Sequence, residues 1–195
     1  MTRKIHDTDY LFLTTRVRAL EGCLLNRGQM EQMLEAGSPE EATRILTDCG
    51  YPELETVSAI TVGEMLTRER ERLFQDLAEL VPDPAILAVF QLPHDYHNVK
   101  VLLKSEAMGI QEDRLLVDAG RIPSKQLAAA LRSGEVQNLP PQLGEAIDEA
   151  RQVLSATRDP QLGDMVLDRR YFQELLVLAE ETGSLFLQGY VQRMI

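Results

Sequence analysis

The chain has no tryptophan, two cysteines and only 5% aromatic residues among its 195 positions. Cys23 and Cys49 are not in CxxC spacing, so thiols alone build neither a disulfide framework nor a four-ligand zinc site. That usage points to a reducing compartment. Positive charge is also scarce: 20 Lys and Arg against 31 Asp and Glu leave −11, which excludes nucleic-acid or anionic-membrane binding by bulk charge. Long apolar runs are missing. The longest, Ala85–Phe90, falls far short of the ~20 residues that span a bilayer, and the opening MTRKIHDTD has no apolar signal region. The expectation is an acidic, soluble, cytoplasmic protein whose membrane association is peripheral. The phosphate-cradling glycine patterns and the GxSxG nucleophile elbow are absent, so no nucleotide, cofactor or catalytic residue is expected.

What is abundant is Leu, Ala, Glu, Gln, Arg and Met, residues that lose little side-chain freedom in a helix, and the fold class expected is all-α. Thr8 or Asp9 is read as the cap of a first helix running to about Asn26, with Leu13, Val17, Leu20 and Leu24 on one face and Gly28 as a stop. Ser38-Pro39-Glu40-Glu41 caps a helix over 39–49 that Gly50 closes. Thr61-Val62-Gly63-Glu64 reads as a capping box for a charged helix ended by Pro82. Asp83-Pro84 opens a segment that Pro93 breaks, giving a sharp corner at 91–95 with Asp95 capping a new helix to Gly109. Further helices are expected at 124–132 opened by Ser124, at 141–157, at 160–182 after Asp159, and at 185–195 after Ser184.

An internal echo organises these helices. Leu24-Leu25, Gly28 and Ala36-Gly37-Ser38 resemble Leu115-Leu116, Gly120 and Arg132-Ser133-Gly134, while Phe74-Gln75-Asp76-Leu77 resembles Phe172-Gln173-Glu174-Leu175. The offsets, 116 − 25 = 91 and 172 − 74 = 98, are similar and the order is kept. A duplicated helical unit follows, 1–109 and 110–195, the second incomplete at its C-terminal end, as in a shortened polypeptide.

Few residues invite chemistry. His94 and His97 share a helical face, but no third ligand accompanies them, and no metal site is expected. Ser38, Ser124 and Ser184 are explained as caps, and the acid pairs Glu40-Glu41 and Glu180-Glu181 as solvated charge. Cys23 and Cys49 are read as small buried hydrophobes, and Met30, Met33, Met65, Met108, Met165 and Met194 as core filler.

Particular residues then add what periodicity does not. Tyr10, Arg16-Val17-Arg18-Ala19-Leu20-Glu21, Leu24-Leu25, Ala36 to Ala42 and Gly50-Tyr51 resemble the opening of the C subunits of V-type and A-type rotary ATPases, a family that includes the d subunit of the eukaryotic vacuolar ATPase. Asp95-Tyr96-His97-Asn98-Val99-Lys100 resembles that family's D-x-x-N-x-K helix start, and Leu167-Asp168, Tyr171-Phe172 and Tyr190-Val191 its second repeat. The resemblance implies two related units of a pseudo-threefold, funnel-shaped helical protein, with the third unit absent. It also implies a non-catalytic central-stalk component joining the membrane proteolipid (c/K) ring to the central shaft subunits (D and F) during ion-driven ATP synthesis or ATP-driven ion pumping. Asp95, Tyr96, Asn98, Lys100, Arg16 and Arg18 are the family-motif positions, structural or partner-contacting. On the residues alone, an unrelated helical adaptor or regulatory domain stays open, as does an enzyme whose cleft no motif reveals.

Overall fold

The computed structural model describes residues 6–195, and the opening 1–5 lie outside the described residues. The described residues form α-helices and short 3-10 turns with no strand, as the all-α expectation requires. The helices are α1 (Leu11–Glu21), α2 (Arg27–Glu35), α3 (Pro39–Asp48), α4 (Ala59–Leu80), α5 (Pro84–Met108), α6 (Ser124–Ser133), α7 (Pro141–Thr157), α8 (Pro160–Glu181) and α9 (Leu185–Met194). Packing divides the chain into two compact units, Met1–Pro82 and Asp83–Ile195. The division at 109/110 drawn from the echo is one of repeated sequence, a different criterion from packing.

In the first unit α1 packs on α4 and α2 on α3. Local caps set most of the ends. Ser38 Oγ accepts from Glu41 N–H at 3.2 Å, Pro39 takes the first helical position, and Gly50 sits at φ 93°, a conformation that strains any side chain. Three expectations are corrected. The first helix ends at Glu21, a 3-10 turn over Asp7–Tyr10 precedes it, and neither Thr8 nor Asp9 caps it. Gly28 is not a stop but lies inside α2, which Asn26 opens through a reciprocal bond pair with Gln29. Ser58 rather than Thr61 caps α4, with Thr61 as its capping-box partner. The cysteines also differ from expectation, because the early end of α1 leaves Cys23 exposed on a turn, while Cys49 caps α3 half-buried.

In the second unit α8 is the central element, packed by α5, α7 and α9. Leu92 and Val99 of α5, Leu143 and Ile147 of α7, Leu167 and Leu175 of α8 and Val191 of α9 are fully buried. Each such side chain contributes about 1.5–3 kcal/mol. Ala146 and Ala150 on the buried face of α7 are small enough for a close approach to α8. Of the methionines, Met65 is in a core, in the first unit, whereas Met30, Met108, Met165 and Met194 are exposed.

The corner expected at 91–95 does not form. α5 runs unbroken from Pro84 to Met108 with Pro93 inside it, and Asp95 lies in its interior rather than at its cap. An internal proline costs about 3 kcal/mol through the lost N–H and the clash with the carbonyl four residues back. Leu92 and Tyr96, on either side of Pro93, are both buried together with Val99 and Leu103, and that burial offsets the penalty. Ser124 likewise begins α6 without capping it: its N–H donates to Asp118 Oδ1 at 2.6 Å.

Candidate functional site

One turn of α5 after Pro93 carries Asp95, Tyr96 and Asn98, all buried, on a face turned to the connection between α5 and α6 and to α8. Their bonds hold that connection in place. Asn98 pairs with the backbone of Val117 in both directions: its Nδ2 donates to the Val117 carbonyl at 2.8 Å and its Oδ1 accepts the Val117 N–H at 2.9 Å. His97 Nε2 lies 3.1 Å from the Leu115 carbonyl. Farther along, Gln91 Nε2 donates to the Gly120 carbonyl at 3.3 Å, and Asp95 Oδ1 accepts the Ile122 N–H at 3.2 Å.

Arg121 closes the cluster. Its Nε donates to Asp95 Oδ2 at 2.6 Å and its Nη1 to Glu174 Oε1 at 2.8 Å, while the Tyr96 hydroxyl donates to Glu174 Oε2 at 2.9 Å. Asp95 is 0% and Glu174 4% exposed, so two acids and a guanidinium are satisfied here largely by one another. Within this cluster, Arg121 Nη2 is a buried atom that finds no hydrogen-bond partner among the described residues. Burial raises the Asp95 carboxyl above the ordinary aspartate range, opposed by the Arg121 hydrogen bond and charge. Burial also opposes the charge on Arg121, but Asp95 and Glu174 together hold it above the usual guanidinium value. The Tyr96 phenol is pushed far up, by burial first and then by the charge and hydrogen bond of Glu174.

At the rim of α5 the bonds become surface ion pairs. Lys100 Nζ reaches Asp168 at 2.5 Å and Lys104 Nζ reaches Asp164 at 2.6 Å, both tying α5 to α8. On the other side of α8, Arg170 bridges Glu145 and Glu149 of α7, and Arg169 also pairs with Glu149. Hydrogen bonding to Arg170 holds the Glu149 carboxyl below its ordinary range, and the same bond raises Arg170.

The motif positions thus separate. Asp95, Tyr96, Asn98 and Lys100 share α5 and act within the second unit. Arg16 and Arg18 lie on α1 in the first unit, Arg16 paired with Asp76 at 3.3 Å and Arg18 with Glu21 at 2.7 Å, both on the surface. Sequence reasoning did not single out Arg121, Glu174, Val117 or Asp168 as site residues. Glu174 had one available signal, its place in the Phe-Gln-Glu-Leu half of the echo. The acid of each half holds an arginine: Asp76 pairs with Arg16 in the open, Glu174 with Arg121 under cover.

Chemically the cluster is a clamp. A cavity of about 860 Å³ in the same unit is lined by Leu103, Glu106, Met108, Arg151, Leu154 and Arg158 and takes none of the cluster's side chains. Among the described residues no three His, Cys, Asp or Glu side chains gather as metal ligands, and no helix is long and apolar enough to cross a membrane.

Comparison with known proteins adds a lineage to this geometry. The family model described as "ATP synthase (C/AC39) subunit" matches residues 13–195. The C subunit of the V-type sodium ATPase of Enterococcus hirae is 28% identical over 176 residues, covering 90% of this chain and 54% of that protein. The C subunit of the A-type ATP synthase of Methanocaldococcus jannaschii is 26% identical over 129 residues, covering 60% of this chain and 32% of that protein. The chain spans about half the length, or less, of these relatives.

Proposed function

We propose a role for this chain from one premise: it belongs to the ATP synthase (C/AC39) subunit family. The chain serves as a non-catalytic part of a rotary V- or A-type ATPase, peripheral to the membrane, coupling a proteolipid ring to the central shaft subunits (D and F). Rotation driven by ion flow, or by ATP hydrolysis in the opposite sense, passes through it, and no bond is made or broken in it. The repeat reading, 1–109 and 110–195, belongs to the same proposal.

The observation that carries this reading is the match over residues 13–195 to a family whose named relatives are subunits of a sodium ATPase and of an ATP synthase. The interior of the second unit supports it. A coupling element must not yield under torque, and here α5, the 115–122 connection and α8 are locked by Asp95, Arg121 and Glu174, which pair with one another, and by Asn98, which pairs with the Val117 backbone. With a net charge of −11, the surface that meets the shaft is acidic and the shaft tip basic, charge steering assembly more than fixing its affinity.

Co-purification tests this. The chain is expected to retain the shaft heterodimer and the detergent-solubilised ring, with association slowed as salt rises. Retention of neither partner would contradict the coupling role. Association indifferent to salt would remove the electrostatic part of the proposal.

A further inference from the structure

The cavity of about 860 Å³ in the second unit is bordered by the last turns of α5 and α7 and the start of α8. Leu103 and Met108 of α5, Leu154 of α7 and Pro160 of α8 give it apolar walls, and its volume is in the range of pockets that hold small organic ligands. Three charged side chains also line it, Glu106, Arg151 and Arg158. Two of them answer each other: Arg151 Nη2 donates to Glu106 Oε2 at 3.0 Å and to the Leu131 carbonyl at 2.7 Å. The Arg158 guanidinium has no hydrogen-bond or ion-pair partner among the described residues. In a chain of net charge −11, the cavity lining therefore holds one unanswered positive charge. Arg158 also occupies a position that disfavours a side chain. It ends α7 at φ 56°, whereas the other described residues with positive φ are all glycine, Gly50, Gly109, Gly134 and Gly183.

We infer that this cavity binds a small amphipathic carboxylate, a medium-chain fatty acid, with its hydrocarbon chain against Leu103, Met108, Leu154 and Pro160 and its carboxylate on Arg158. The apolar walls draw in the chain, since covering it removes apolar surface from water. Met108, exposed at the end of α5, supplies a flexible wall that adapts to an unbranched chain. The single unanswered charge selects the head group. One carboxylate balances one guanidinium, and the planar fork of Arg158 matches it with two parallel N–H donors. Arg158 is exposed, so the head group lies on the solvent side while the chain points inward. Glu106 does not repel it, because Arg151 already holds the Glu106 charge.

Calorimetric titration of the chain with octanoate tests this, with octanol as the uncharged probe of equal chain length. Octanoate is expected to bind saturably at one site per chain, and octanol about tenfold more weakly for want of the charge-assisted hydrogen bonds. Ala107→Phe, which sets a ring into the cavity from α5, should abolish octanoate binding. Arg158→Gly should weaken octanoate about tenfold, to the level of octanol. The same variant should melt no lower than the unsubstituted chain, because glycine takes φ 56° without a crowded Cβ, so its loss of affinity is not a loss of fold. No saturable octanoate binding, equal affinity for octanol, binding that survives Ala107→Phe, or full affinity in Arg158→Gly would each overturn the inference. So would a lower melting temperature in Arg158→Gly, which would show the arginine serving the end of α7 rather than a ligand. None of these readouts involves ring or shaft, so failure here is distinct from failure of the rotary reading.

Discussion

Gly120 lies against Asp95 so closely that a Cβ built on it falls 2.2 Å from Asp95 Oδ1 and 3.2 Å from its Cγ. The carboxylate has little room to retreat, because Arg121 and Ile122 hold both of its oxygens. Gly120→Ala is therefore expected to lower stability by about 1–3 kcal/mol through overpacking. Chemical denaturation measures it, and a neutral result would mean that the 115–122 connection can shift away from α5.

Removing the acid is expected to cost more than crowding it. Asp95→Ala leaves Arg121 with a buried, half-paired charge and the Ile122 N–H without its acceptor, at a cost of about 3–5 kcal/mol. A double-mutant cycle of Asp95→Ala with Arg121→Met should show strong coupling, the double variant being less damaged than the sum of the singles. Additive effects would contradict a shared clamp.

Asn98 and Lys100 sit two positions apart on α5 and should behave differently. Asn98→Ala strands the Val117 N–H and carbonyl and is expected to cost about 1–3 kcal/mol for each backbone group left unpaired. Lys100→Ala removes a partly exposed pair with Asp168 and is expected to cost at most about 1 kcal/mol. If Lys100→Ala instead weakens assembly while leaving stability unchanged, its role is in partner contact.

The short-range parts of this structure were legible in the sequence. Ser38, Asp83, Asp159 and Ser184 cap the helices expected of them because a cap is a contract between neighbours: a side-chain oxygen and an N–H two or three residues on. Pro93 was not legible, since its local preference to break a helix loses to burial of Leu92 and Tyr96, which only the packed unit reveals. The clamp was half legible. Asp95 and Asn98 stood out through a motif, yet Tyr96 and its partner Glu174 are 78 positions apart, and nothing in either neighbourhood names the other. Gly28 and Gly120 were matched in the echo, but one sits within α2 and the other packs on Asp95, so similar sequence fills different places.

Alkaline pH should probe the Tyr96–Glu174 bond. An ordinary tyrosine ionises near pH 10, and Tyr96 is raised well above that by burial and by Glu174. Above about pH 10 the unfolded chain gives up a phenolic proton that the folded chain keeps. The stability carried by neutral Tyr96 is thus complete below about pH 10 and is lost as pH climbs toward the folded value. Tyrosinate absorbance should show Tyr96 and Tyr171, the latter raised chiefly by burial, ionising above the ordinary tyrosine range. Tyr96→Phe should flatten the alkaline loss of stability, and an unchanged slope would contradict the assignment.

The most direct measurement is ion pumping by a reconstituted complex in proteoliposomes, with and without the polypeptide that carries this chain. Complexes lacking it are expected to hydrolyse ATP but build no ion gradient, and adding it back should restore pumping without changing the chemistry at the catalytic sites. Gradient formation that proceeds equally well in its absence would contradict the coupling role.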